Sequence, residues 1–73
     1  MLIVCEDQAE IDYYWDSLTK NGGEESQCGW LKDKFGLSWQ VAPKGIDEMI
    51  IKPSAFQNLM NMKKIIIKDL ENE

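Results

Sequence analysis

The stretch Gln27-Cys28-Gly29-Trp30-Leu31-Lys32-Asp33-Lys34-Phe35-Gly36-Leu37-Ser38-Trp39-Gln40-Val41 decides the fold of this chain. Asp33-Lys34-Phe35-Gly36 is a tight-turn sequence in which Gly36 can take the left-handed conformation that closes a hairpin. After it, Leu37, Trp39 and Val41 alternate with Ser38, Gln40 and Ala42, which is the two-residue period of a strand. Pro43 has no N–H to give to a ladder, so it ends that strand or lies at an edge. Before the turn, Ser26, Cys28 and Trp30 fall on one side of an extended chain and Gln27, Gly29 and Leu31 on the other. A kink at Gly29 would split Glu24 to Lys32 into two short strands.

Toward the N-terminus, Leu2 to Cys5 is a short apolar run suited to a buried strand. Asp7 and Glu10 then stand in a capping-box spacing, in which Asp7 accepts from a free helix amide and Glu10 reaches back. Ile11, Tyr14, Trp15 and Leu18 follow the apolar stripe of a helix, leaving Asp12, Asp16 and Lys20 to water. Asn21-Gly22-Gly23 supplies the residues that tolerate positive φ at a helix stop. The pattern is therefore β-α-β-β-β.

Toward the C-terminus the character changes to helical. Ile46, Met49 and Ile50 suggest a short turn, and Pro53-Ser54 opens a helix carrying Phe56, Leu59 and Met60 on one face. Ile65-Ile66-Ile67 is ambiguous between strand and helix, with Leu70 and its charged neighbours favouring a last helix. The fold class is α+β, with a module over residues 1–43 and a C-terminal helical extension over residues 44–73 that packs on it.

At 73 residues, with 44% hydrophobic residues and three Trp, the chain is built to fold but sits near the lower size limit for one core. Association is the expected remedy. The formal net charge of −5 repels phosphate backbones and anionic headgroups, so neither nucleic acid nor a membrane is an expected partner. Lys63, Lys64 and Lys68 read as a solvated helix face. The opening apolar run reaches Glu6 and Asp7 at once, far short of a leader or a span, and the expected compartment is the cytoplasm. Cys5 and Cys28, in a chain with no His, make no zinc pattern and read as small buried hydrophobes in strands. Without His there is no Ser-His or Cys-His dyad, and no catalytic residue can be assigned.

Cys5-Glu6-Asp7-Gln8, Tyr14-Trp15, Gly22-Gly23-Glu24-Glu25 and above all the run Gln27 to Val41 resemble the PhnB-like branch of the glyoxalase/bleomycin-resistance (vicinal oxygen chelate) superfamily. This branch is also described as 3-demethylubiquinone-9 3-methyltransferase-like. Met62-Lys63-Lys64-Ile65 resembles the start of its C-terminal helices. The resemblance implies a single β-α-β-β-β module where the family uses two, fused, to build a curved sheet around a cavity. It implies the second module, so that the first module and a first-strand ligand would precede Met1. The expected partner is then a second copy, as a homodimer, or a separate first-module chain.

Metal-dependent members bind a divalent ion through His or Glu of the first and last strands. Their last-strand pattern resembles D-x-x-G-x-x-x-E. Laid on Asp33 to Gln40, it puts Gln40 where the carboxylate should be, and an amide is a poor ligand for such an ion. No metal and no cofactor are expected in this chain. Ser38 and Gln40 project from the face opposite Leu37, Trp39 and Val41. If the helix covers the latter face, a hydroxyl and an amide line the cavity and can hydrogen-bond an uncharged or anionic small molecule. The alternative is a solvated edge strand. Trp30 either stacks on that ligand or belongs to the core or an interface.

Three readings remain open. The first is a small-molecule-binding module without an intact metal site, assembled by pairing of half-domains, with Ser38, Gln40 and Trp30 facing the cavity. The second is a subunit or fragment of a metal-dependent enzyme whose first module lies on another chain. The third is a truncated structural remnant. A methyl-donor site finds no support, because no Gly-rich turn follows a parallel strand.

Overall fold

Strand β1 (Leu2–Cys5) runs through Glu6 and Asp7 into helix α1 (Gln8–Thr19) in the computed structural model, which describes residues 1–71. Asp7 is the N-cap: its carboxylate accepts from the Glu10 N–H at 3.0 Å. The Glu10 carboxylate reaches back one residue further than a capping box does, accepting from the Glu6 N–H at 2.6 Å. One of the amides that a helix start leaves without partners, that of Glu10, is thus satisfied by a side chain, and the Glu6 N–H just before the helix by another. The helix ends at Thr19, with Lys20 as its C-cap, and Asn21 just beyond takes a φ of 59°.

The chain returns as β2 (Glu24–Glu25), β3 (Trp30–Lys32) and β4 (Ser38–Pro43). The sheet order is β1-β4-β3-β2, with β1 parallel to β4 and the other pairs antiparallel. β4 is therefore a central strand and not an edge. Its Pro43 lies opposite Cys5 at the strand's last position, where a missing N–H does least harm.

The break between β2 and β3 is wider than a kink. Residues 26–29 form a turn in which both Cys28 and Gly29 take positive φ, 60° and 82°. Cys28 is thus in a turn and only half-buried, contrary to its reading as a buried strand residue. Gly29 is required twice over: beside its positive φ, a Cβ there would lie 2.7 Å from Ile65 Cδ1 and 2.9 Å from the Val41 carbonyl oxygen.

α1 covers one face of the sheet. Ile11 and Trp15 bury against Cys5, Leu31 and Val41, with Ile3, Leu18 and Trp39 at the margin. Removing a side chain of this kind from water contributes about 1.5–3 kcal/mol. Tyr14 and Leu37 are not part of this core and stand partly in solvent. Asp12 does not simply face water, since it accepts from Gln8 at 3.1 Å and pairs with Lys64 at 2.9 Å.

The C-terminal part adds α2 (Ile46–Met49), α3 (Pro53–Met60) and α4 (Ile67–Glu71). A second core forms from Ala42, Leu59, Ile65 and Leu70. α3 buries Ala55 and Leu59, leaving Phe56 and Met60 half-exposed, so its inward face differs from the one expected. Ile65 is buried in an extended stretch before α4, and Lys63 and Lys64 precede that helix too. The Gln8 side chain ties this stretch down: its amide donates to the Ile65 carbonyl at 3.0 Å and its oxygen accepts from the Ile67 N–H at 2.8 Å. Residues 72 and 73 of the expected extension lie outside the described residues.

Candidate functional site

The sheet face opposite α1 is built by the same register that builds the core. Leu31 pairs with Trp39 and Ile3 with Val41 on the covered side. Directly opposed residues share a face and side chains alternate along a strand. Trp30 and Leu2 flank Gln40 on the other face, and Lys32 lies opposite Ser38. Ser38, Gln40 and Trp30 are thereby brought to one side of the sheet.

They do not share one environment. Leu2 and Val4 are 60% and 57% exposed and Trp30 is 41% exposed, so the expectation of a fully buried first strand holds only for Cys5. Ser38 lies at the solvated end, beside Lys32. Gln40 sits mid-face on the central strand, half-buried, and its amide nitrogen donates to the Cys28 carbonyl at 3.2 Å. That bond fixes the amide's orientation. Its carbonyl oxygen accepts no hydrogen bond among the described residues.

Beyond Gln40 the face runs into a groove of about 370 Å³ between the sheet and the α2–α3 segment. Leu2, Val4, Ala42, Ile46, Ile50 and Leu59 supply its apolar wall, and Gln40 and Asp47 are the polar side chains that line it. A volume of this size suits a small ligand. Of the three residues singled out from sequence, only Gln40 belongs to the groove. Asp47 carries no sequence signal beyond its place in the first turn of α2.

Asp33 holds the turn that sets this register. One carboxylate oxygen accepts from the Phe35 and Leu37 amides at 2.9 and 3.0 Å, and the other from the Trp39 indole N–H at 2.9 Å. The indole bond first, and the two amides after it, hold the Asp33 carboxyl below the ordinary carboxylate range. Burial pushes the Cys5 thiol up, with the charges of Glu10 and Asp7 adding to it. Such a thiol is protonated and inert at neutral pH.

A divalent ion of the kind used by metal-dependent superfamily members wants carboxylate or imidazole donors. At position 40 the chain offers an amide that is already turned toward Cys28. Among the described residues, no three side chains of His, Cys, Asp or Glu stand close enough together to hold an ion. The donor set of this chain alone does not fit that metal.

Among the described residues no helix is long and apolar enough to cross a membrane. No curated protein matches the chain. Residues 1–42, more than half of the 73, match the family described as 3-demethylubiquinone-9 3-methyltransferase, a glyoxalase-like family, and the chain belongs to it.

Proposed function

We propose that the chain is a glyoxalase-fold small-molecule-binding module that works as half of a pair. In this reading residues 1–43 are the second of the family's two modules, residues 44–73 are a helical extension packed on it, and the partner is a second copy or a separate first module. The observation that carries the reading is the partly open sheet face opposite α1, on which Trp30, Leu2 and Val4 stay exposed on either side of Gln40's strand while α2 and α3 cover only one end. A sheet of this size normally buries both faces or makes the outer one polar. Here the outer face is apolar at one end and carries a single oriented amide at its centre.

The edges of the sheet support the pairing. β2, at one edge, consists of Glu24 and Glu25, and like charges keep a second copy away from it. β1, at the other edge, has no charged residue. The Gln40 N–H donates to the Met1 carbonyl and the Lys44 N–H to the Cys5 carbonyl. By strand alternation, the N–H and C=O groups of Leu2 and Val4 then point away from β4, toward the open side. A partner added there would extend the sheet and bring a second apolar face beside the first.

The donor chemistry at Gln40 disfavours the metal-dependent alternative for this chain by itself, and β1 is followed by Glu6-Asp7 where a methyl-donor site has a glycine-rich turn. Both cysteines are free thiols, in keeping with a cytoplasmic setting. Light scattering coupled to size exclusion tests the pairing. We expect a dimer at micromolar concentration, and a monomer there, with no association to a first-module chain, would sink it.

A further inference from the structure

We propose that the groove between the sheet and α2–α3 selects a small apolar molecule carrying an ammonium group. The inference rests on the reading of the chain as a small-molecule-binding module and adds the chemical class of the ligand.

The case starts from what the groove can and cannot offer. Its walls are aliphatic, from Leu2, Val4, Ile50 and Leu59 among others, and give no direction to a bound molecule beyond burying its apolar body. Direction comes from two side chains, Gln40 and Asp47. A glutamine can present its donors or its acceptor, and here the bond from one of its two N–H groups to the Cys28 carbonyl at 3.2 Å sets which way the amide points. What Gln40 has left is a carbonyl oxygen that accepts nothing among the described residues, and one N–H. Asp47 is a carboxylate and accepts only. Among the described residues no Lys, Arg, Ser, Thr, Tyr or Trp side chain lines the groove. Both polar groups therefore have an acceptor to offer a donor, and Asp47 adds a negative charge that asks for a positive one.

An anionic ligand finds one amide N–H at most and is repelled by the Asp47 carboxylate, on a chain whose net charge is already −5. A neutral alcohol can satisfy one acceptor. An ammonium group has three donors and the complementary charge, so it can serve Gln40 and Asp47 together.

The test uses the full chain, labelled with ¹⁵N, and three probes of equal length: hexylammonium, hexanol and hexanoate, at neutral pH. We expect saturable shifts centred on Leu2, Val4, Asp47 and the Gln40 side-chain amide, with hexylammonium binding tightest and hexanoate weakest. Gln40→Met, which keeps the bulk and removes the acceptor, should weaken hexylammonium about tenfold. Asp47→Asn, on an exposed turn where it leaves the fold intact, should weaken it about three- to tenfold. Neither should change hexanol as much. If hexanol binds as tightly as hexylammonium, or hexanoate binds tightest, cation selection is overturned while small-molecule binding stands. If no probe gives saturable shifts at the groove, both ideas fail there.

Discussion

Asp33 carries more of the hairpin than its place in a turn suggests. Its carboxylate gathers two backbone amides and the Trp39 indole, so ionisation of one side chain fixes both the turn and the ring that closes the core's margin. Its folded pKa is lowered, so its stabilisation is fully present above the ordinary carboxylate value, about 3.9, and is lost as pH falls through the lowered folded value. Asp12, lowered by its bonds to Lys64 and Gln8, adds in the same direction. Urea midpoints should therefore fall between pH 6 and pH 3. Asp33→Asn should be less stable at pH 6 and show a shallower fall, and a variant with the wild-type slope would assign the acid sensitivity elsewhere. The two thiols should separate as cleanly. An aromatic disulfide reagent should titrate Cys28 readily in the native protein and Cys5 only after denaturation, since Cys5 is fully buried and its thiol held protonated. At this scale the sequence made Gln40's face legible, because strand alternation is a local property. It could not reveal Asp47, whose place in the groove depends on how α2 folds back over the sheet.

Among the elements, those with strict local chemistry were legible and those placed by distant contacts were not. Asp7 capping α1, the left-handed Gly36 and the end of β4 at Pro43 all follow from neighbours within a few residues. The inward face of α3 does not, because Phe56 and Met60 are as apolar as Leu59. What decides is the position of Ala42 and Ile65, which Leu59 meets across the second core. The same holds for the latch in which Gln8 reads the backbone at Ile65 and Ile67, more than fifty residues away in sequence. Gly29 shows how a local signal can have a non-local cause. It looked like a kink, but it is also the point where the β2–β3 turn lies against the C-terminal stretch, with its N–H donating to the Lys63 carbonyl at 2.8 Å. Gly29→Ala should cost about 2–4 kcal/mol, from positive φ and overpacking together. Chemical denaturation followed by circular dichroism reads this directly. A loss under about 0.5 kcal/mol, the range of ordinary surface substitutions, would mean that Ile65 and the turn move apart freely.

For the molecule as a whole, the second core explains how so short a chain holds its helices, and the open part of the sheet face is the surface that the proposed pairing would cover. Ala42 lies under the C-terminal helices, while Val4, directly opposite it on the neighbouring strand, and Leu2, two residues before, remain exposed. The C-terminal helices cover one end of the face, and β1 is an edge strand of the sheet. That arrangement separates two effects in one experiment. Val4→Lys places a charge on the open face at the uncovered edge, where a paired module would have to desolvate it, whereas in the isolated chain a side chain 57% exposed can hold it in water. The fold should survive, with a thermal midpoint near that of the wild type at concentrations where both are dissociated. Association should weaken by at least about tenfold, that is about 1.4 kcal/mol, seen as a shift to the monomer in light scattering at matched concentration. An equivalent change on the far edge, Glu25→Lys, should leave association unweakened. If Val4→Lys associates as the wild type does, the partner does not sit on β1, and the two-module reading loses the surface on which it depends.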